Sequence, residues 1–294
     1  MKILITGSNG LLGQKIVSQL IHENVSFLAT SKGENRNSKC NIENYKSLDI
    51  TNKLQIESLI KNYKPTHIIN TAAITNVDFC EDNIELCQKV NVTAVQYLFD
   101  ISKNNNIHFI HLSTDFVFDG KNGPYSETDP TNPLSVYAKS KVDSELILQH
   151  SEYKNWAILR TIIVYGEGEN LSRSNIVLWA KTALKEKKTL TIVDDQFRSP
   201  TWADDLAWAC IQTAKLNETG IFHISGPKVF SIYELVCEIA DYCGADKHLI
   251  TPVKSKTLNQ KAKRPPKTGF ILDKANKKLN YKPITFKESL KYIS

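Results

Sequence analysis

The 294-residue sequence lacks most of the features that would place a chain outside the ordinary globular proteins. No apolar run approaches the roughly 18 residues a membrane-spanning helix needs, and the longest candidates are strand-sized pieces such as KILIT (2–6). No signal-peptide pattern precedes that piece, so a cytoplasmic location is the default expectation, with no membrane partner. There is no internal repeat and no low-complexity linker. The six cysteines, at positions 40, 80, 87, 210, 237 and 243, form no C-x-x-C pair and none stands beside histidines at zinc-ligand spacing. That pattern predicts reduced, mostly buried thiols and no metal centre. A basic nucleic-acid face is also missing. Residues 246–294 hold 13 of the 37 Lys and Arg against 3 of the 31 Asp and Glu, but these lysines are spread between apolar positions. Solvated helix faces explain most of them, and some could draw an anionic substrate.

The composition that remains, 41% apolar and 23% charged, is that of a soluble globular protein, and the length suits one large domain or one and a half. Through the first 165 residues, short β-rich runs alternate with helical periods, as in successive βαβ units. Strands are expected at 2–6, 26–30, 67–72, 108–113 and 156–161, and helices at 11–22, 52–62, 84–104 and 135–150. Beyond 166 the order loosens: a polar loop EGENLSRSN, a helix over 175–187, strands at TLTIVDD and GIFHISG (220–226), a helix over 231–243, then a Lys-rich segment containing prolines. The fold class predicted is α/β, a Rossmann-type doubly wound parallel sheet with a smaller C-terminal lobe. The first domain spans 1–165 and takes in roughly 200–225. A substrate-binding lobe comprises 166–199 and 226–294.

Two constellations carry chemistry. In KILITGSNGLLGQKIVSQL, Gly7, Gly10 and Gly13 follow the first strand and run into the first helix. Gly7 permits a tight turn, Gly10 a close approach of backbone to pyrophosphate, and Gly13 helix-on-strand packing; free N–H groups at the helix start would face the phosphates, with Asn9, Gly10, Leu11 and Leu12 as cofactor-binding residues. In HLSTDFVFDG (111–120), Ser113, Thr114 and Asp115 end the fourth of these strands, where ligands of open α/β sheets bind. Tyr137 and Lys141 then stand one helical turn apart in SVYAKSKVDSELILQH, with ELIL expected to anchor the helix in the core. Reducing a ketone requires hydride at carbon and a proton at the developing alkoxide. A tyrosine, with a reference pKa of about 10, gives that proton readily only if a nearby cation lowers it.

The G-x-x-G-x-x-G spacing and the Ser/Thr, Tyr-x-x-x-Lys set together resemble the extended short-chain dehydrogenases/reductases. The resemblance implies Thr114, Tyr137 and Lys141 as catalytic residues, with Lys141 also on the nicotinamide ribose. Where NAD-preferring members carry an acidic residue, this chain has Thr30, Ser31 and Lys32, so NADPH is favoured, with NADH possible. Asp49 and Ile50 match the adenine side, Ala72 and Ala73 the loop along the cofactor, and Asn91 a helix asparagine that braces the site; Ser113 completes the cofactor set.

The pieces STDFVFDG, PYSETDPTNPLSVYAKSK, LRTIIVYG, DDQFRSPTWADDLA and RPPKTGFILDKANKKLNY are similar to signatures of the dTDP-4-dehydrorhamnose reductase family, in order and across the chain. The activity implied is NADPH-dependent reduction of a dTDP-4-dehydro-6-deoxy sugar. Phe116 follows Asp115 where sugar-nucleotide dehydratases carry a second acid, which disfavours dehydration. Thr114, Asp115, Phe116, Asn175, Arg198 and Trp202 are the expected substrate residues. Arg198 would face the nucleotide diphosphate or pair with Asp194 or Asp195. Homodimerisation is common in that family, and no stripe here marks an interface. Magnesium occurs in some relatives, and this chain has no compact carboxylate cluster for it. Two other readings stay open: a reductase or epimerase of another nucleotide sugar, and a non-catalytic NADP-binding subunit resembling the regulatory subunit of methionine adenosyltransferase.

Overall fold

A computed structural model describes residues 1–293. Strands β1 (Lys2–Thr6), β2 (Ser26–Ser31), β3 (Tyr45–Ser47), β4 (His67–Asn70), β5 (His108–Thr114) and β6 (Trp156–Thr161) alternate with helices α1 (Leu11–His22), α2 (Lys53–Tyr63), α3 (Val77–Asp82), α4 (Ile84–Gln88), α5 (Ala94–Asn104) and α6 (Val136–Gln149). With the strand Gly220–Ile224 they form one parallel sheet, in the order Gly220–Ile224, β6, β5, β4, β1, β2, β3. This is the Rossmann-type α/β sheet read from the alternation, and it is covered on both faces as parallel sheets must be. Ile3, Ile5, Ile69, Ile110 and Leu159 meet α1 and α8 (Ala203–Leu216) on one side. Leu4, Ile68, Phe109 and Ile158 meet residues of α2 and α5 on the other.

A separate apolar cluster joins α7 (Ile176–Lys185) and α9 (Ile232–Cys243) to the paired strands Leu190–Val193 and Ile250–Val253. Three differences from the expected elements have physical causes. The helix foreseen over 84–104 is continuous but contains a π-helical turn at Lys89–Thr93, which buries Asn91. The sequence gives no sign of α8, because eight of its residues, five of them alanine or cysteine, are buried and blur the helical period. And ELIL anchors α6 only in part, through Glu145, Leu148 and the half-buried Ile147. Its buried set is Tyr137, Ala138, Ser140, Lys141, Ser144, Glu145 and Leu148, while Leu146 is exposed. Its packed face is therefore mostly polar and each polar group needs a partner. Cysteines 40, 80, 87 and 210 are buried, and all six are free. Among the described residues no helix is long and apolar enough to cross a membrane.

Candidate active site

The turn after β1 is built around glycine. Gly7 sits at φ +72° with the Ala72 amide so near that a Cβ would lie 2.7 Å from its nitrogen, and a Cβ on Gly13 would meet Gly7 O at 2.5 Å. Gly10 caps α1 without a side-chain hydrogen bond, so the N–H groups of the first turn are left for an anion. The Ser8 hydroxyl is buried there with no partner. This bare, positively polarised cradle fits a dinucleotide diphosphate.

At the adjacent strand end the side chains are distributed differently from the sequence expectation. Thr30 turns inward and donates to Ile5 O at 2.8 Å, and Ser31 Oγ accepts from the Asn9 N–H at 3.2 Å. Lys32 is exposed and pairs with Asp49 at 2.8 Å; that contact is the main reason Asp49 is held down to about 2. Asn9 spans the gap, donating to Glu34 O at 2.7 Å and accepting from the Arg36 N–H at 2.9 Å, so Arg36 joins this rim although no motif marks it. Ile50 is buried beside it.

Ala72 and Ala73 follow β4 in a half-buried loop. Asn91 holds this loop through Ile74, accepting from its N–H at 2.8 Å and donating to its carbonyl at 3.0 Å. The same Nδ2 reaches Ser140 Oγ at 3.1 Å, and Ser140 donates to Tyr137 O at 2.7 Å. The loop is thereby tied to α6 in the turn that carries Tyr137. Ser140 was legible only as a residue between tyrosine and lysine.

Thr114 ends β5 and caps the short 3₁₀ turn Asp115–Val117 by accepting from the Phe116 N–H at 3.2 Å. Its hydroxyl neighbours the Tyr137 phenol. Burial pushes that phenol well above its ordinary value, and Thr114 offsets this only in part. Lys141 is 2% exposed; burial pushes it down to about 8, against Glu145 and Cys87, which raise it. Ser113 Oγ, next to Thr114 in the strand, is buried without a partner.

Of the expected substrate residues, Phe116 meets the Tyr137 ring edge-on at a centroid distance of 6.2 Å. Trp202 stacks on Tyr292 at 5.4 Å. Arg198, Asp115 and Asn175 instead spend their polar groups within the protein, a correction to the expected substrate set. Arg198 is 2% exposed and turned inward, donating to Phe197 O at 2.7 Å and Pro265 O at 2.6 Å, with Nε 3.5 Å from Asp115. Neither partner foreseen for it is used, since Asp194 pairs with Lys254 and Asp195 accepts from Ser255. Asp115 is correspondingly consumed, accepting from Thr114 at 3.0 Å and from Thr268. Asn175 caps α7, accepting from the Leu178 N–H and donating to Gly166 O at 2.8 Å. Ile163, a β-branched residue at φ +36° just past β6, is a backbone outlier no sequence signal announced. Among the described residues, no group of three or more His, Cys, Asp and Glu could hold a metal ion.

The chain matches the family described as RmlD substrate binding domain over residues 1–294. It is 34% identical to a dTDP-4-dehydrorhamnose reductase of Aggregatibacter actinomycetemcomitans, covering 99% of this chain and 98% of that one. It is 30% identical to the methionine adenosyltransferase 2 subunit beta of Xenopus laevis, over 87% of this chain and 76% of that protein. Among solved structures, the dTDP-4-dehydrorhamnose reductase of Bacillus anthracis in complex with NADP superposes with a TM-score of 0.85 at 26% identity, covering 99% of this chain and 98% of the other.

Proposed function

The chain belongs to the RmlD substrate binding domain family, and from that premise we propose that it reduces the 4-keto group of a dTDP-4-dehydro-6-deoxy sugar, dTDP-4-dehydrorhamnose to dTDP-L-rhamnose, with Tyr137 as proton donor. At the coarser level it is an NAD(P)-dependent oxidoreductase of a nucleotide-sugar keto group. The observation that carries the finer reading is that Thr114, at the end of β5, neighbours Tyr137 on α6, one helical turn before the buried Lys141, in a sheet whose first strand runs into the glycine cradle.

NADPH, when bound, supplies the hydride. The first turn of α1 would hold its diphosphate, Ser31, Lys32 and Arg36 the ribose phosphate end, Asp49 and Ile50 the adenine side, and Ala72, Ala73, Asn91, Ser113 and Lys141 the nicotinamide end. The Thr114 hydroxyl and the Tyr137 phenol take the substrate carbonyl oxygen between them. A phenol of raised pKa keeps its proton until that oxygen has become the more basic alkoxide, then gives it up. The Lys141 ammonium lowers the cost of the phenolate left behind. Phe116 and Trp202 are the aromatic candidates for the sugar pocket. The division into a nucleotide-binding part (1–165 with roughly 200–225) and a substrate-binding lobe (166–199 and 226–294) belongs to the same proposal.

The test is NADPH oxidation with dTDP-4-dehydro-L-rhamnose. Tyr137→Phe is expected to lower kcat by roughly 10²- to 10⁴-fold, the usual worth of a positioned acid, with NADPH affinity unchanged. Undiminished turnover in that variant would remove Tyr137 from the chemistry. The likeness to methionine adenosyltransferase 2 subunit beta favours a second reading, a regulatory subunit. NADPH binding with no turnover of dTDP-, UDP- or GDP-sugars would select it.

A further inference from the structure

Lys141 has an inner neighbour that the proposed chemistry does not use. The sheet register sets Thr6 beside Asn70 and Asn70 beside His111. These three continue the apolar row Leu4, Ile68, Phe109 by two residues, to the level that α6 crosses, and each is at most 1% exposed. Polar groups in such a place must satisfy one another.

They do so in one direction. The Thr6 hydroxyl donates to Asn70 Oδ1 at 2.5 Å, which leaves Asn70 Nδ2, a donor only, facing His111 Nδ1 at 3.1 Å. Nδ1 is therefore an acceptor, and a neutral ring carries its proton on Nε2. That N–H lies 3.0 Å from Ser144 Oγ, whose hydroxyl donates onward to Lys141 O at 2.8 Å. Lys141 Nζ stands 3.2 Å from the same Nε2. An ammonium has donors and no acceptor, so it can make no hydrogen bond to an N–H.

We propose that His111 is a positioning residue for Lys141: held as the Nε2–H form by Asn70 and Thr6, it closes the inner side of the amine and turns the ammonium's donors outward into the cleft. This rests on the role given to Lys141 above. Ser113 stands two residues further along the same face of β5, toward its carboxyl end, with its hydroxyl unpartnered. The charged and titratable groups facing the pair are Glu145 on α6, itself held by Arg160 on β6, and Cys87 on α4. Phe109 stacks on the imidazole at 6.1 Å, and burial keeps the ring uncharged.

The experiment is a carbon-13 NMR titration of lysine side chains in the unliganded chain, read beside NADPH affinity and the pH profile of kcat/KM. His111→Phe keeps a stacked ring and removes both nitrogens. With the opposing N–H gone, Lys141 is expected to titrate about one unit higher, and the alkaline limb of kcat/KM to move up with it. NADPH should bind severalfold more weakly. His111→Gln, which returns an amide N–H near the Nε2 position, should bring the titration back toward wild type. Ser144→Ala leaves the amine as the only acceptor for Nε2–H and should move Lys141 the opposite way, which a packing role would not do. Should His111→Phe fail to fold, the other two variants decide. A Lys141 titration unmoved in the folded variants would overturn the proposal, whatever the loss of stability. Full turnover by Tyr137→Phe would instead remove Tyr137 as the proton donor, and the titration of the unliganded chain would still judge His111.

Discussion

Arg160 and Arg198 are both 2% exposed, and each faces a carboxylate that is as deeply buried. Their surroundings differ. Arg160 forms a two-pronged pair with Glu145, at 2.9 and 2.6 Å, between β6 and α6, with Phe118 beneath the guanidinium. Arg198 is satisfied mostly by the carbonyls of Phe197, Pro265 and Pro266, while Asp115 is satisfied mostly by the hydroxyls of Thr114 and Thr268. The first pair is tied by charge and fixes the helix that carries Tyr137 and Lys141. The second is tied by hydrogen bonds and fixes where Thr114 sits relative to the segment 265–268. Burial alone therefore does not say what a charge pair does; the neutral partners decide whether losing one charge strands the other.

The largest effect should come from breaking the charge-tied pair. Arg160→Met leaves Glu145 buried and uncompensated, and is expected to cost about 3–5 kcal/mol in urea unfolding, most of it recovered in the double variant Arg160→Met/Glu145→Leu. Asp115→Asn should cost less, about 1–3 kcal/mol, because Arg198 keeps its carbonyls. Its kcat should nonetheless fall about tenfold as Thr114 shifts, a loss measured in the NADPH oxidation assay. Third is pH. His223 lies 3.4 Å from Arg160 Nη1, and burial first, then that charge, push it down to about 3. The unfolded chain binds this proton near pH 6.5 and the folded chain does not, so the stability it contributes is whole above 6.5 and is lost as pH falls toward 3. At pH 5.5 the loss is roughly 1–2 kcal/mol, and His223→Phe should flatten the slope by one proton. His108, pushed down to about 4 by burial, adds in the same direction. The smallest effect is expected at Lys32 and Asp49, an ion pair with an exposed lysine. Lys32→Met should leave the unfolding midpoint where it is and lower only the preference for NADPH over NADH in a competition assay.

How much of this was legible depended on sequence distance. The strands at 2–6, 108–114 and 156–161 and the helix at 11–22 lie within a residue of their expected bounds, because each has a clear period and a clear stop. The glycine cradle and the Tyr137–Lys141 spacing were equally local. Arg198 was misjudged because its partners come from residues 115 and 265–266, which no spacing brings together. His111 was silent for the same reason, since its contacts arrive from β4 and α6. The polar inner face of α6 ran against the hydrophobic pattern, and a reading of apolar residues as the core finds Leu148 there but misses Ser140, Lys141 and Ser144.

The π-helical turn at Lys89–Thr93 carries one more consequence. A single helix runs from Ile84 to Asn104 with a wider loop in its middle, and Asn91 reaches Ile74 and Ser140 from inside that loop. Taking one residue out would leave an ordinary helix that is locally more regular, yet everything beyond it would swing by about 100°. Leu98 and Phe99 would leave the sheet, and Asn91 would leave its loop. Length in this helix is thus under tighter constraint than composition: most single substitutions at its outer positions should pass, and a one-residue deletion should not.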